Sequence, residues 1–212
     1  TVKKIILPSG KMLDVSGEGY NDSGKIEAAD PSVGLTDLKP AIDELVKITT
    51  LCNESELVKI NNEWKYSGDS VDIAFLSLAY KNGMVPAELK AGYSVVHELP
   101  FESERKYAAT FYRENGKIKV AIKGAFETLL PMCSCASDPV IRNTLEEASV
   151  KLTSEGHRVI ASATGEIENS NDYGEKSIKN IRFTGLAGLK DPLRPEAKKS
   201  VENCISAGVK VS

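Results

Sequence analysis

A phenylalanine and two lysines lie at the ends of predicted neighbouring strands in the middle of this chain. The segments on either side of Asn115-Gly116 are rich in β-branched and aromatic residues, and Asn-Gly is the dipeptide that a tight hairpin turn prefers. Because cross-strand neighbours lie within reach of one another, Phe101, Lys106 and Lys123 could converge on one pocket. An aromatic face beside ammonium groups suits a purine that carries a phosphate tail.

These three residues also have an ordinary explanation. A strand with a phenylalanine and flanking lysines is usually a core ring with a solvated rim. Hydrophobic periodicity does not decide between a purine site and ordinary packing.

Length and charge exclude several classes of protein. The 212 residues can bury a sizeable core in one large domain or two small ones. A net charge of -3, with scattered lysines and arginines, argues against nucleic acid as a partner. The longest apolar runs fall far short of the roughly 20 residues that a membrane span requires, and no signal peptide opens the chain, so we expect it to be soluble.

The four cysteines do not form a recognisable metal motif. Cys133 and Cys135 have no second Cys or His pair at zinc spacing, so we predict no metal site and reduced thiols.

The hydrophobic pattern mixes strands with helices. It predicts hairpins within 3–15 and 59–66, strands over 93–99 and 157–163, and a strand at 209–211. Helices are predicted from Thr36 or Asp37 to about Cys52, from Asp69 or Ser70 to Asn82, from Asp138 to Gly156, and from Pro195 to about Ala207. We expect an α+β fold, a twisted antiparallel sheet with helices packed on it.

Six motifs, in order, resemble the cytoplasmic motifs of P-type cation-transporting ATPases, closest to the calcium-pump and sodium/potassium-pump branch. A lone Lys-Gly-Ala would be weak support, but six ordered matches are strong. They are Val15-Ser16-Gly17-Glu18-Gly19-Tyr20 with Gly24, Leu51-Cys52-Asn53, Gly68-Asp69-Ser70-Val71-Asp72-Ile73-Ala74, Pro100-Phe101-Glu102-Ser103-Glu104-Arg105-Lys106, Lys123-Gly124-Ala125 and Asp191-Pro192-Leu193-Arg194.

Two family motifs do not occur in the chain. Neither Asp-Lys-Thr-Gly-Thr, which holds the phosphorylated aspartate, nor Thr-Gly-Asp is present. We therefore expect a nucleotide-binding domain over 1–183, followed by a short βαβ-like start of the phosphorylation domain over 184–212. The chain alone should bind ATP without hydrolysing it.

The resemblance implies roles for the residues of the predicted pocket. Phe101 would stack on the adenine of ATP, and the stem of Lys123 would lie near the other face. The small Gly124 and Ala125 would let the ligand approach the backbone. A core role remains the alternative for Phe101.

Four further residues match positions that contact the nucleotide. Lys106 and Arg158 match phosphate contacts, with a solvated strand-end lysine and an internal ion pair as the alternatives. Asp72 matches the carboxylate near the adenine amino group, although the family usually has Glu there. A carboxylate in the first turn of a helix is also stabilising in itself. Ser103 stands where calcium pumps carry arginine, so one phosphate contact is expected to be missing.

The resemblance also implies partners and a location. Asp191 and Arg194 match the hinge to the phosphorylation domain. ATP with Mg²⁺ would be the cofactor, and the chain would bind ATP and ADP. The other partners would be the phosphorylation, actuator and transmembrane domains of a multi-pass pump, with this domain on the cytoplasmic face. A self-contained hydrolase or kinase is disfavoured because phosphate-loop motifs are missing. The alternative is a regulatory or interaction module that has lost nucleotide binding.

Overall fold

An eight-stranded antiparallel sheet forms the centre of the computed structural model, which describes residues 1–167, 173–190 and 195–210. From one edge to the other, the strands run in the order β3-β2-β1-β10-β9-β8-β7-β6. Their bounds are β1 Val2–Ile6, β2 Met12–Val15, β3 Ile26–Ala28, β6 Ser94–Leu99, β7 Tyr107–Glu114, β8 Lys117–Gly124, β9 Arg158–Ile167 and β10 Arg182–Leu189; a separate hairpin consists of β4 Glu56–Ile60 and β5 Glu63–Ser67.

Helices cover both faces of the sheet. Apolar side chains of β1, β2, β7 and β8 on one face pack against a first group of helices. Apolar side chains of β7 to β10 on the other face pack against a second group. The first group is α1 Leu35–Leu51, α2 Ser70–Lys81 and α3 Pro86–Ala91; the second is α4 Phe126–Leu129 and α5 Pro139–Ser154, and α6 Pro195–Ser206 follows the sheet in sequence.

Alternation along β7 and β8 assigns each side chain to a face. Ala108, Tyr112 and Ala121 pack with α1, whereas Ala109 and Phe111 belong to the core beneath α4 and α5. Since side chains alternate along a strand, Lys123 lies on the same face as Ala121, the one that α1 and α2 cover. This register brings a buried lysine to the side of the sheet where α2 begins.

The predicted α+β class is confirmed, and so is the central hairpin. Tyr107–Glu114 pairs with Lys117–Gly124, and Asn115 and Gly116 both have positive φ, at 51° and 77°. Positive φ at both positions is the conformation of the tight turn that Asn-Gly predicts.

Two predictions concern the C-terminal part of the chain. The sheet continues through Leu189, past the domain boundary predicted after residue 183, because β10 pairs with both β1 and β9. The assignment of residues 184–212 to the start of a second domain stays a prediction. The strand predicted at 209–211 does not form at 209 and 210, where no described strand is available to pair, and 211 lies outside the described residues.

Among the described helices, none has the length and apolarity to cross a membrane.

Candidate functional site

A cavity of about 690 Å³ opens on the α1–α2 face, at the end of the central strands. Its size is that of a typical small-ligand pocket. Its wall is formed by the turn after α1, the start of α2, the segment from the end of β6 to Phe101, Lys106 with part of β7, the end of β8 and the start of β9. Seven of the eight residues predicted to contact a nucleotide line it, namely Asp72, Phe101, Lys106, Lys123, Gly124, Ala125 and Arg158.

Lys123 and Asp72 form an ion pair in the wall of this cavity. Their side chains are only 9% and 14% exposed. Oδ1 of Asp72 accepts from the Lys123 ammonium, and Oδ2 accepts from the backbone N–H of Glu54 at 3.1 Å. The carboxylate is therefore held by two contacts. A carboxylate that only stabilised the first turn of α2 would need neither of them.

The turn after α1 connects three helices at this point. The side-chain amide of Asn53 donates to the carbonyl oxygens of Asp72 at 2.9 Å and Thr49 at 3.4 Å. Lys90 of α3 donates to the carbonyl oxygen of Asn53 at 2.6 Å. Burial, with the nearby charge of Lys123, lowers the pKa of Lys90. Leu51-Cys52-Asn53 thus joins α1 and α3 to the start of α2.

Phe101 lies in the loop between β6 and β7 and is 57% exposed. A core phenylalanine would be almost fully buried, so the ordinary explanation of this ring as a core residue does not hold. Its exposed face is an apolar surface available to a ligand.

Arg105 anchors the loop that carries Phe101, although it does not line the cavity. Its side chain is 7% exposed. The guanidinium donates to the carbonyl oxygens of Pro100 and Tyr107 and to Glu175 at 2.8 Å. One planar group thereby joins both ends of the loop to a segment near β10, a geometry that suits arginine better than lysine.

Lys106 stands where this loop enters β7, with φ of 59°. Its backbone carbonyl accepts from the N–H of Ala125 at 2.9 Å, while its ammonium lies 3.8 Å from Glu127. A Cβ on Gly124 would lie 2.4 Å from that same carbonyl oxygen. The absence of a side chain at Gly124 is thus a steric requirement of the fold.

Arg158 is the first residue of β9 and lines the cavity with an exposed side chain. No carboxylate of the described residues lies within 4.0 Å of its guanidinium. The alternative of an internal ion pair therefore has no support within those residues.

Of the predicted site residues that the structure describes, Ser103 does not line the cavity. Ser103 lies exposed in the turn that precedes Lys106, where the N–H of Lys106 donates to the carbonyl oxygen of Glu102 at 2.7 Å. This turn places residue 103 away from the cavity wall. The hinge residues Asp191 and Arg194 lie outside the described residues.

Sequence reasoning missed the acidic part of the cavity. Glu54, Glu98 and Glu127 line it, and none of them belongs to one of the six motifs. Glu54 directly follows the Leu51-Cys52-Asn53 motif and Glu98 directly precedes Leu99-Pro100-Phe101. Proximity to both motifs was the one available signal.

Cys52 also lines the cavity, but as an inert thiol. Burial raises its pKa to about 11, even with Lys123 nearby, so the thiol stays protonated at neutral pH. Within the described ranges, no three His, Cys, Asp or Glu side chains are placed to hold a metal ion.

Comparison with known proteins connects this geometry to a family. The sequence model for the P-type ATPase, cytoplasmic domain N, matches residues 41–196. The chain is 33% identical over 97% of its length to Cation-transporting ATPase pma1 of Synechocystis, and 32% identical over its whole length to Probable cation-transporting ATPase F of Mycobacterium tuberculosis. It is 29% identical over 97% of its length to a Calcium-transporting ATPase of Bacillus subtilis.

The chain spans 24% of the length of each of these relatives. The matching model runs from residue 41, within α1, past the end of β10, and therefore covers every residue that lines the cavity. This chain belongs to the P-type ATPase family, in which it matches the cytoplasmic domain N.

Proposed function

We propose that this chain is the ATP-binding domain of a P-type cation-transporting ATPase. It holds adenosine while the γ-phosphate reaches an aspartate in another part of the pump. The observation that carries the proposal is the single cavity that gathers Phe101, Lys123, Gly124 and Arg158 from three separate segments of the chain.

The cavity supplies the groups that adenine needs. The exposed ring of Phe101 offers a stacking face, and stacking of a base on an aromatic side chain is worth roughly 1 to 3 kcal/mol. Gly124, which has no side chain, lets the adenosine approach the end of β8. Lys123 borders the same space.

The phosphate chain would extend toward the basic residues at the mouth. Arg158 can grip two phosphate oxygens at once, and Lys106 acts as a point charge. Because no described cluster of residues is placed to hold a metal ion, the Mg²⁺ that accompanies ATP would be held by the phosphates themselves and by groups elsewhere in the pump. This chain contributes binding and orientation.

The remaining parts of the proposal follow from the family. In the whole pump, this domain lies on the cytoplasmic face of the membrane and works with phosphorylation, actuator and transmembrane domains. Asp191 and Arg194 form the hinge toward the phosphorylation domain. Two of the relatives named above are cation-transporting ATPases and one is a calcium-transporting ATPase, so a cation is the transported species.

One observation favours a second function, a module that has kept the fold and lost nucleotide binding. Lys123 is already paired with Asp72, and three further glutamates line the cavity. An acidic wall repels phosphate. A titration distinguishes the two functions.

The test is titration of the ¹⁵N-labelled chain with ATP, followed by NMR. We expect saturating shifts at Phe101, Lys123 and Gly124 with a dissociation constant from about 0.1 to a few mM, because an open domain supplies stacking and few charge contacts. Signals of the β4–β5 hairpin, outside the cavity, serve as the internal control. Absence of saturation at the cavity would favour the interaction module.

A further inference from the structure

The β4–β5 hairpin separates two segments that line the cavity. The chain lines the cavity over 52–55 before it enters the hairpin, and with residues of 68–72 after it leaves. Among the described residues, the two strands of the hairpin pair only with each other. Because an isolated two-stranded hairpin is marginally stable in water, its position depends on the side chains that pack against it.

Tyr80, near the end of α2, contacts both strands of the hairpin. Its hydroxyl donates to the backbone carbonyl oxygen of Leu57 in β4 at 3.1 Å. Its ring packs edge-on against the ring of Trp64 in β5, with centroids 4.8 Å apart and planes at 73°. The side chain of Leu57 is buried against Ile73 and Leu76 of α2. Tyr80 therefore joins the hairpin to a helix that is itself packed in the core.

The loop at 16–24, which carries the first of the six motifs, packs on the same part of α2. The carbonyl oxygen of Asn21 accepts from the buried hydroxyl of Ser77 at 2.7 Å. Tyr20 packs against the cluster that contains the inner side of the hairpin. A Cβ on Gly17 would lie 2.0 Å from a carbonyl oxygen across the neck of this loop, so the loop closes only with glycine there.

Three backbone amides at this edge of the cavity donate to side chains and are therefore sensitive to its position. They belong to Glu54, Ser55 and Val71, and their acceptors are Asp72 at 3.1 Å, Asn53 at 3.0 Å and Asp69 at 2.8 Å. The first of these bonds crosses from one cavity segment to the other. If the hairpin loses its position, these amides should open to solvent and exchange faster.

We infer that Tyr80 is a positioning residue for the cavity. By joining the hairpin to α2, it holds 52–55 and 68–72 in the arrangement that a nucleotide meets. The part of this inference that concerns the nucleotide rests on the proposed function. The arrangement of the two segments is measured without any ligand.

The first experiment compares Tyr80→Leu with Tyr80→Phe by amide hydrogen exchange. In Tyr80→Leu the ring contact is lost, and we expect exchange at Glu54, Ser55 and Val71 to become about tenfold faster. Tyr80→Phe keeps the ring and should restore most of the protection. Amides of the central strands β8 and β9 should keep their rates. Unchanged rates at the three amides, or the same acceleration in β8 and β9, would show a general structural role and overturn the inference.

The second experiment tests whether Tyr80 acts through Trp64. Trp64→Leu should accelerate the same three amides. Because both substitutions remove one shared contact, the double variant should exchange no more than about twofold faster than either single variant. Accelerations that multiply in the double variant overturn the proposed route. If Tyr80→Leu does not fold, Tyr80→Phe and Trp64→Leu decide the matter by the same comparison with β8 and β9.

The matched control is Tyr173→Leu. Tyr173 is a partly buried tyrosine that packs against the ring of Phe111 in the core on the other face of the sheet. It should leave exchange at the three amides unchanged, and acceleration there by Tyr173→Leu would overturn the inference.

The nucleotide part is tested by ATP titration of the same variants. We expect Tyr80→Leu to raise the dissociation constant about threefold or more, and Tyr80→Phe to restore it. Faster exchange in Tyr80→Leu with unchanged ATP affinity overturns the inference and leaves the proposed function standing. Failure of the unchanged chain to bind ATP overturns the proposed function, and the exchange rates then decide alone whether Tyr80 positions the cavity wall.

Discussion

The carbonyl oxygen of Lys106 accepts a hydrogen bond from the backbone N–H of Ala125 at 2.9 Å. This bond ties the entry of β7 to the exit of β8, at the edge of the cavity. Between the two strands, a Cβ on Gly124 would lie 2.4 Å from the same oxygen and 2.4 Å from Cβ of Tyr107. The contact therefore exists only because residue 124 is glycine.

We predict that Gly124→Ala destabilises the domain by about 1 to 3 kcal/mol, since backbone must shift to admit the methyl group. Urea unfolding followed by circular dichroism measures the change. The control is Gly92→Ala, because Gly92 has φ of -75° and its nearest atom would be 3.4 Å away. Equal stability of Gly124→Ala and the unchanged chain would contradict the steric explanation.

A second prediction concerns the stacking ring. Phe101→Ala should weaken ATP binding by roughly 1 to 3 kcal/mol, and the fold should survive because the ring is 57% exposed. Tyr66→Ala is a matched control, since Tyr66 is 58% exposed and lies outside the cavity. Unfolding of Phe101→Ala, or equal ATP affinity in both variants, would refute the role given to the ring.

A third prediction concerns Arg105, which acts on the ligand only through the loop. Arg105→Lys leaves one ammonium where a guanidinium joins Pro100, Tyr107 and Glu175. The loop should loosen, with faster amide exchange over 101–106 and ATP affinity lowered several-fold. Arg142→Lys is the control, because Arg142 is exposed and forms one pair within α5. Unchanged exchange in Arg105→Lys would show that the loop is held by other contacts.

The pH dependence of stability follows from Glu44 and Arg182, which join α1 to β10. The two terminal guanidinium nitrogens of Arg182, Nη1 and Nη2, donate to the Glu44 carboxylate, at 2.7 and 2.5 Å. These hydrogen bonds hold the pKa of Glu44 below its ordinary value of 4.5. A lowered pKa in the folded state stabilises the fold above the unfolded pKa, and this stabilisation is lost as pH falls through the folded value.

We therefore predict that Glu44→Gln costs about 1 kcal/mol of unfolding free energy at pH 7, a small amount because the pair is partly exposed. At pH 3, below the ordinary pKa of 4.5, the cost should shrink, because the unfolded chain then takes up a proton that the folded carboxylate resists. Urea unfolding at both values is the measurement. A cost that is equal at pH 7 and pH 3 would show that charge pairing is not the cause.

Turns and helix starts that are marked by neighbouring residues could be predicted from the sequence. Asn115-Gly116 predicted the central turn, and Asp138 before Pro139 predicted the start of α5, where its carboxylate accepts from the N–H groups of Val140 and Ile141. The start of α1 was predicted wrongly at Thr36 or Asp37. The N-cap is Gly34, which has no side chain for capping. Because polar residues are the preferred caps, the prediction placed the start of the helix after this glycine.

The candidate site depended on contacts between distant parts of the chain. The pairing of Asp72 with Lys123 arises because α2 begins above the end of β8, and no local pattern encodes that placement. The insertion of β10 between β1 and β9 is likewise a long-range pairing. The order of the motifs predicted which residues line the cavity. The charged residues around them could be identified only from the folded structure.

Direct contact between adenine and the ring of Phe101 is the central claim, and intermolecular NOE spectroscopy on the chain with saturating ATP tests it most directly. We predict NOEs from the adenine H2 and H8 protons to the ring protons of Phe101 and to the α-protons of Gly124. NOEs to protons outside the cavity, or none to Phe101 at saturation, would contradict adenine recognition at this site.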